Sequence, residues 1–295
     1  LRAALVQFKP RKGDVAGNRA AMRDVLAQIA PDGCDLVVFP EAALTGYFLE
    51  GAVYELAVDA RTFAQMLDEE WRASGAGGAV DVVCGFYENL GGTFHNSAIY
   101  ARLGEAGGPR IVHVHRKMFL PTYGVFDEER FLTRGRRLST FETPFGKAAI
   151  LICEDAWHAI VPTVAALKGA RLLIVPSASP GRGIGTDGEL ESIGHWKAIL
   201  SAMAAEHGVY VLYAGLTGFE GGKGMSGSTG AYSPRGEELV TAPPLDPCIV
   251  RVRLDPVEVD LARAMLPLIG DLAGVLPDLW LDEEVLVTRR DEEVP

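Results

Sequence analysis

The chain has 295 residues, 48% of them hydrophobic and 23% charged, with a formal net charge of -11. This is globular composition, enough for one large domain or two small ones, and its acidity argues against nucleic acid or an anionic membrane surface as a partner. No apolar run approaches the ~18 residues of a membrane span.

Residues 2–8 read as a first strand and lack the apolar core and cleavage site of a signal peptide. Asp14 to Ile29 reads as a helix, with Val15, Met22, Leu26 and Ile29 near helical spacing. Leu36 to Phe39 is a short apolar strand that runs into a loop, Pro40 to Tyr47. Leu56 to Trp71 is helix-like, with Phe63, Met66, Leu67 and Trp71 on one side, and the Gly-rich 74–78 stretch ends it. Val80 to Tyr87 and His95 to Ala101 read as a hairpin turned at Asn89 to Gly92. Ile111 to His115 is a further strand, followed by a polar segment, 122–136, that reads as the lining of a cleft.

Arg137 to Thr143 and Lys147 to Ile152 read as a second hairpin, turned at Pro144-Phe145-Gly146. Val161 to Lys168 is helical, Leu172 to Val175 is a buried strand, and residues 180–188 are Gly-rich and mobile in character. Leu190 to His207 is a longer helix and Val209 to Tyr213 a strand. Gly224 to Tyr232 and Pro247 to Leu254 read as closing strands, and the tail after Asp255 mixes short helix with loop. Strands and helices alternate with hairpins inserted, and no repeat, linker or composition break divides them. The expectation is one α/β layered domain over residues 1–295, with a mixed sheet or two.

Cys34, Cys84, Cys153 and Cys248 include no CxxC pair, which weakens zinc and thioredoxin-like readings and suits a reducing cytoplasm. Free cysteine is among the most buried residue types, so Cys153 taken alone reads better as a core residue than as a nucleophile. Its setting says more. The apolar run Ala148 to Ile152 stops at Cys153-Glu154-Asp155, the layout of a strand-to-helix elbow that exposes a nucleophile and the next backbone N–H. Glu41 and Lys117 also stand directly after apolar strands, and ligand sites in α/β folds lie beyond strand carboxyl ends. A carboxylate, an ammonium and a thiol together suit cleavage of an amide or nitrile through a thioester. Glu41 would take the thiol proton, while Lys117 and the Glu154 N–H would hold the oxyanion. A papain-type histidine base is the competing arrangement, with His158 and His195 as its candidates.

Phe39-Pro40-Glu41 with Leu44-Thr45-Gly46-Tyr47, His115-Arg116-Lys117 with Leu120-Pro121, and Ile152-Cys153-Glu154-Asp155 resemble the three motifs of the nitrilase superfamily of carbon–nitrogen hydrolases, in the same order. The resemblance implies a four-layer αββα sandwich that pairs into homodimers or larger assemblies, with the tail from about residue 256 contributing contacts. It implies a Glu41–Lys117–Cys153 triad with neither metal nor organic cofactor. It implies a second glutamate that steadies the lysine, best matched by Glu128, with Asp127 and Glu129 alongside as alternatives.

Within the superfamily, Cys153-Glu154-Asp155-Ala156-Trp157, Leu120 to Glu128 and Ser177-Ala178-Ser179-Pro180 are similar to the glutaminase domain of glutamine-dependent NAD synthetases. That likeness implies substrate contacts from Tyr47, Tyr123, Glu154, Trp157 and Ser179. An α-ammonium group needs acceptors, which Glu154 supplies, and aromatic faces bound an aliphatic chain. The arginine that carbamoyl-amino-acid hydrolases place just after the nucleophile is absent, and Arg182 in the next loop reads as a surface arginine ahead of a substitute for it. No Gly-rich phosphate motif of an ATP-using domain occurs before Pro295. The expectation is therefore a free-standing cytoplasmic amidase acting on a small primary amide, or a subunit served by a separate chain. A nitrile or N-carbamoyl substrate, acyl transfer to an amine, and a non-catalytic metabolite-binding relative are the rivals.

Overall fold

The computed structural model describes residues 1–185 and 190–280. Part of the Gly-rich 180–188 stretch and the end of the tail, 281–295, therefore lie outside the described residues. In chain order the elements are β1 (Arg2–Gln7), α1 (Val15–Ile29), β2 (Leu36–Val38), α2 (Val53–Leu56), α3 (Ala60–Ala73), β3 (Val80–Leu90), β4 (Thr93–Leu103) and β5 (Arg110–Arg116). They continue with β6 (Phe141–Thr143), β7 (Gly146–Ile150), α4 (Ile160–Leu167), β8 (Leu172–Ser177), α5 (Glu191–His207), β9 (Tyr210–Gly215), β10 (Thr217–Glu220) and β11 (Lys223–Ser226). The described chain ends with β12 (Gly230–Tyr232), β13 (Glu238–Thr241), β14 (Cys248–Arg253), α6 (Pro256–Met265) and α7 (Leu268–Trp280).

Two mixed six-stranded sheets form the centre, in the orders β14-β1-β2-β3-β4-β5 and β13-β12-β9-β8-β7-β6. Each has three parallel strands in its middle, β1, β2 and β3 in one and β7, β8 and β9 in the other, with antiparallel strands outside them. Strand side chains alternate faces, so neighbours along β1 serve different layers. Ala3 and Leu5 join Leu36, Val38 and Val83 in a cluster shared with Ile150, Leu172 and Leu200 of the second half. Ala4 and Val6 turn the other way, onto Met22 and Leu26 of α1 and Phe63 and Leu67 of α3. The result is the expected αββα order, two helix layers outside two sheets. Among the described residues no helix is long and apolar enough to cross a membrane.

The observed boundaries correct several expected ones. The helix expected from Leu56 begins at Ala60, because the Asp59 carboxylate accepts from the N–H groups of Arg61 and Thr62 and caps it there. The strand expected over 147–152 ends at Ile150, and the one expected over 137–143 is only Phe141–Thr143. The strand expected over 224–232 is broken at Gly227 and Ser228, both at positive φ. A small β10–β11 hairpin and the edge strand β13 were not expected. The tail forms two helices, α6 and α7, as far as it is described.

Candidate active site

Five strand ends meet at one end of the sandwich. Glu41 follows β2, Lys117 follows β5, Cys153 follows β7 and Ser177 closes β8, while Asn96 lies near the start of antiparallel β4. Glu41 sits where Pro40 turns against β3, and the Gly85 N–H donates to the Pro40 carbonyl at 3.0 Å. That approach needs a glycine, since a Cβ on Gly85 would lie 2.5 Å from the Glu41 Cα and 2.6 Å from the Pro40 oxygen.

The Lys117 ammonium donates to Glu41 Oε1 at 2.8 Å and to Glu128 Oε1 at 2.7 Å, and its side chain is fully buried. Asn96 Nδ2 donates to Glu41 Oε1 at 2.7 Å, and the Ala178 N–H to Glu41 Oε2 at 2.7 Å. The Tyr47 hydroxyl donates to Glu128 Oε1. Of the three adjacent acids, Glu128 is the one that turns inward; Asp127 and Glu129 are exposed, with Asp127 3.6 Å from Arg130.

Cys153 is a non-glycine residue at φ +46°, the left-handed conformation of a strained elbow, which costs roughly 1–2 kcal/mol. Asp155 holds it in place. Asp155 Oδ2 accepts from the Ile152 N–H at 3.0 Å and lies 2.9 Å from His115 Nε2. Asp155 Oδ1 accepts from the N–H groups of Met118 (2.9 Å) and Phe119 (3.1 Å), so one buried carboxylate ties the elbow to the segment after Lys117. Ser177 Oγ donates to Cys153 Sγ at 3.3 Å.

Burial pushes the Cys153 thiol far up and Glu41 adds to this, against the opposing pull of Lys117, Ser177 and the Ala178 amide. Burial and the nearby carboxylate thus both favour the protonated form of the sulfur. Burial also lifts Glu128 to about 7, against the pull of Lys117. For Lys117 itself burial opposes the charge, but Glu128 and Glu41 outweigh it and hold the ammonium well above its ordinary range. Two carboxylates thus share the one ammonium.

Of the other expected residues, Tyr123 and Trp157 lie toward the surface and Ser179 does not. The Tyr123 hydroxyl donates to the Glu154 carboxylate, 3.0 and 2.9 Å from its two oxygens. His158 Nε2 lies 3.8 Å from Glu154, and its ring stacks on Phe119. Trp157 is half-exposed, edge-on to Trp196 at 5.2 Å and to His195 at 6.5 Å. Ser179 is buried, and its carbonyl accepts from Ser226. The Arg182 guanidinium lies 5.7 Å over the Phe126 ring. Neither histidine put forward as a base is among the hydrogen-bond partners of Cys153; Ser177 is. A groove of about 840 Å³ lies between α1 and β14, and none of these residues lines it.

Asn96, Ser177, the Ala178 amide and the grip of Asp155 escaped sequence reasoning. One of them left a trace: Ser177 ends an apolar strand, as Cys153 does.

A four-layer αββα sandwich with a glutamate, a lysine and a cysteine gathered at its strand ends is the architecture of the nitrilase superfamily. The chain belongs to the carbon–nitrogen hydrolase family, whose model matches residues 2–264. It is 34% identical over 184 residues to the glutamine-dependent NAD(+) synthetase of Thermotoga maritima, covering 61% of this chain and 30% of that protein. It is 28% identical over 246 residues to the probable nitrilase C965.09 of Schizosaccharomyces pombe, covering 80% of this chain and 82% of that one. The chain thus spans less than half of the synthetase it matches. Among solved structures, a carbon–nitrogen hydrolase from Helicobacter pylori G27 superposes with a TM-score of 0.80 at 23% identity, covering 92% and 94% of the two chains. A variant of a Nesterenkonia AN1 amidase from the nitrilase superfamily gives 0.75 at 22% identity, covering 95% and 97%. These likenesses bear on the fold.

Proposed function

We propose that this carbon–nitrogen hydrolase is an amidase that cleaves a small glutamine-like primary amide to a carboxylic acid and ammonia through a thioester on Cys153. The observation that carries this is the buried Glu41–Lys117–Glu128 group beside a thiol on a left-handed elbow. Glu41 takes the thiol proton as the sulfur attacks the amide carbon, so the thiolate never has to persist in a site that disfavours it. Lys117 and the Glu154 N–H receive the oxyanion. Glu41 returns the proton to the departing ammonia, then draws one from the water that attacks the thioester carbon and passes it to the Cys153 sulfur as the C–S bond breaks and the acid leaves. Glu128 and Asn96 fix the lysine and the base.

The rim supports an amino-acid head on the substrate. Glu154 offers a carboxylate to an α-ammonium, and Arg182, whose guanidinium lies over the Phe126 ring, offers its charge to an α-carboxylate. Trp157 and Tyr47 bound the aliphatic part. The glutamine dependence in the names of the synthetase relatives and the amidase among the solved structures agree with this reading. We propose further that two copies pair through the tail that begins near residue 256; light scattering of the purified chain tests this.

An ammonia-release screen over glutamine, asparagine, short aliphatic amides, nitriles and carbamoyl amino acids tests the substrate. Glutamine-like amides should lead, Cys153→Ala should be inactive yet folded, and intact mass should trap an acyl adduct on the wild-type chain. Carbon dioxide released with the ammonia would select a carbamoyl substrate. Turnover by Cys153→Ala would end the thioester mechanism.

A further inference from the structure

The β10–β11 hairpin reaches the site from the far half of the chain. Glu220, at the end of β10, is 3% exposed, and its Oε2 accepts from two consecutive amides, Tyr47 N–H at 2.7 Å and Phe48 N–H at 3.0 Å. Gly46 makes room for it: its φ is +78°, and a Cβ there would lie 2.8 Å from Glu220 Oε1. The Tyr47 carbonyl accepts from the Tyr87 hydroxyl, so the Tyr47 backbone is held on both sides. From that fixed backbone the Tyr47 hydroxyl reaches Glu128 Oε1, the same oxygen that takes the Lys117 ammonium. The ammonium lies 5.6 Å over the Tyr47 ring. β11 closes the other side, where Ser226 N–H donates to the Ser179 carbonyl at 2.9 Å and Gly224 O accepts from Gly181 N–H at 2.8 Å. That loop carries the Ala178 amide that holds Glu41.

A buried carboxyl is costly to keep when its role is only to fill space, and a Leu or Met would fill this one more cheaply. Two aligned amides facing one oxygen are a geometric task. We propose that Glu220 is a positioning residue for the reaction, acting through Tyr47: its carboxyl sets the Tyr47 backbone and hence the hydroxyl that orients Glu128 and Lys117. The inference rests on the amidase reading for its rate assay and on Cys153 chemistry alone for its second one.

The first readout is steady-state ammonia release. Glu220→Met should lower kcat by about 100-fold with KM within about threefold, the size of a ~1 Å displacement acting from outside the chemistry. Glu220→Asp, which keeps the charge but falls one methylene short, should lose a similar amount. Glu220→Gln keeps an oxygen that can accept from both amides and should stay within about threefold of wild type. Combined with Tyr47→Phe, Glu220→Met should cost little more than the worse single change, because both act on one hydroxyl.

The second readout is the rate at which iodoacetamide alkylates Cys153, followed by intact mass; it needs no substrate and should follow the same order of variants. Should the wild type release no ammonia from any amide, the amidase reading fails while alkylation still decides the role of Glu220. If Glu220→Met does not fold, Glu220→Asp and Glu220→Gln carry the comparison. Equal damage from Gln and Asp, or additive losses with Tyr47→Phe, would overturn the proposal.

Discussion

Replacing Lys117 with methionine tests the charge balance of the site directly. In the wild type the ammonium is fully buried between two carboxylates, at 2.8 and 2.7 Å. Methionine fills similar space and leaves both carboxylates without that cation. Removing one partner from a buried ion pair typically costs about 3–5 kcal/mol, mainly because a charge stays buried and uncompensated. That cost has a pH signature. Burial already holds Glu128 at about 7 with the lysine present, and without it the folded-state value rises further. A raised value means that the folded state binds more protons than the unfolded state. Stability is then intact below the ordinary glutamate range, near 4.3, and falls as pH rises through the folded-state value. Urea denaturation followed by near-UV circular dichroism should therefore show a small deficit for Lys117→Met at pH 5 and a large one at pH 8. Ammonia release should fall with it, by the ~10²–10³-fold that loss of one oxyanion donor costs. A deficit of the same size at both pH values, or activity within tenfold of wild type, would refute the reasoning.

Glu128→Gln should remove part of the wild-type slope. The stability contributed by protonated Glu128 is fully present below its ordinary range and lost as pH rises through about 7, so the urea midpoint of the variant should fall less between pH 5 and 8. Parallel curves would contradict this. Asp155→Asn must turn an amide NH2 toward donors that already face the carboxylate, and should destabilise by about 2–3 kcal/mol while slowing turnover. Thermal melts and rates on one preparation check both. Single replacement of His113, His158 or His195 should leave activity within tenfold, about 1.4 kcal/mol. Loss comparable to that of Glu41→Gln would restore a histidine base.

The three principal residues were legible because each follows an apolar strand at a sheet end, where local pattern and chemistry coincide. Glu128 was harder: in an acidic run only the fold decides which side chain turns inward, and the one-turn 3-10 helix Glu128–Arg130 makes that choice. What supports these residues was not legible. The Ala178 amide reaches Glu41 across 137 positions and Glu220 reaches Tyr47 across 173, and neither pairing has a periodicity that a sequence can carry. The helix starts at Ala60 and not at Leu56 because the Asp59 side chain caps it there, a local hydrogen bond that the spacing of apolar residues does not register.

Gly85 sets a boundary for anyone wishing to redesign this pocket. Its missing side chain is what allows a neighbouring strand to lie against the turn that presents Glu41, and even a methyl group would push into main-chain atoms at 2.5 Å. A mutant library that randomised this position along with the rest would mostly sample a displaced Glu41, whatever it did for substrate fit. Diversity is better spent at Tyr123, Trp157 and Arg182, whose outer atoms already meet solvent and can change without moving the machinery beneath.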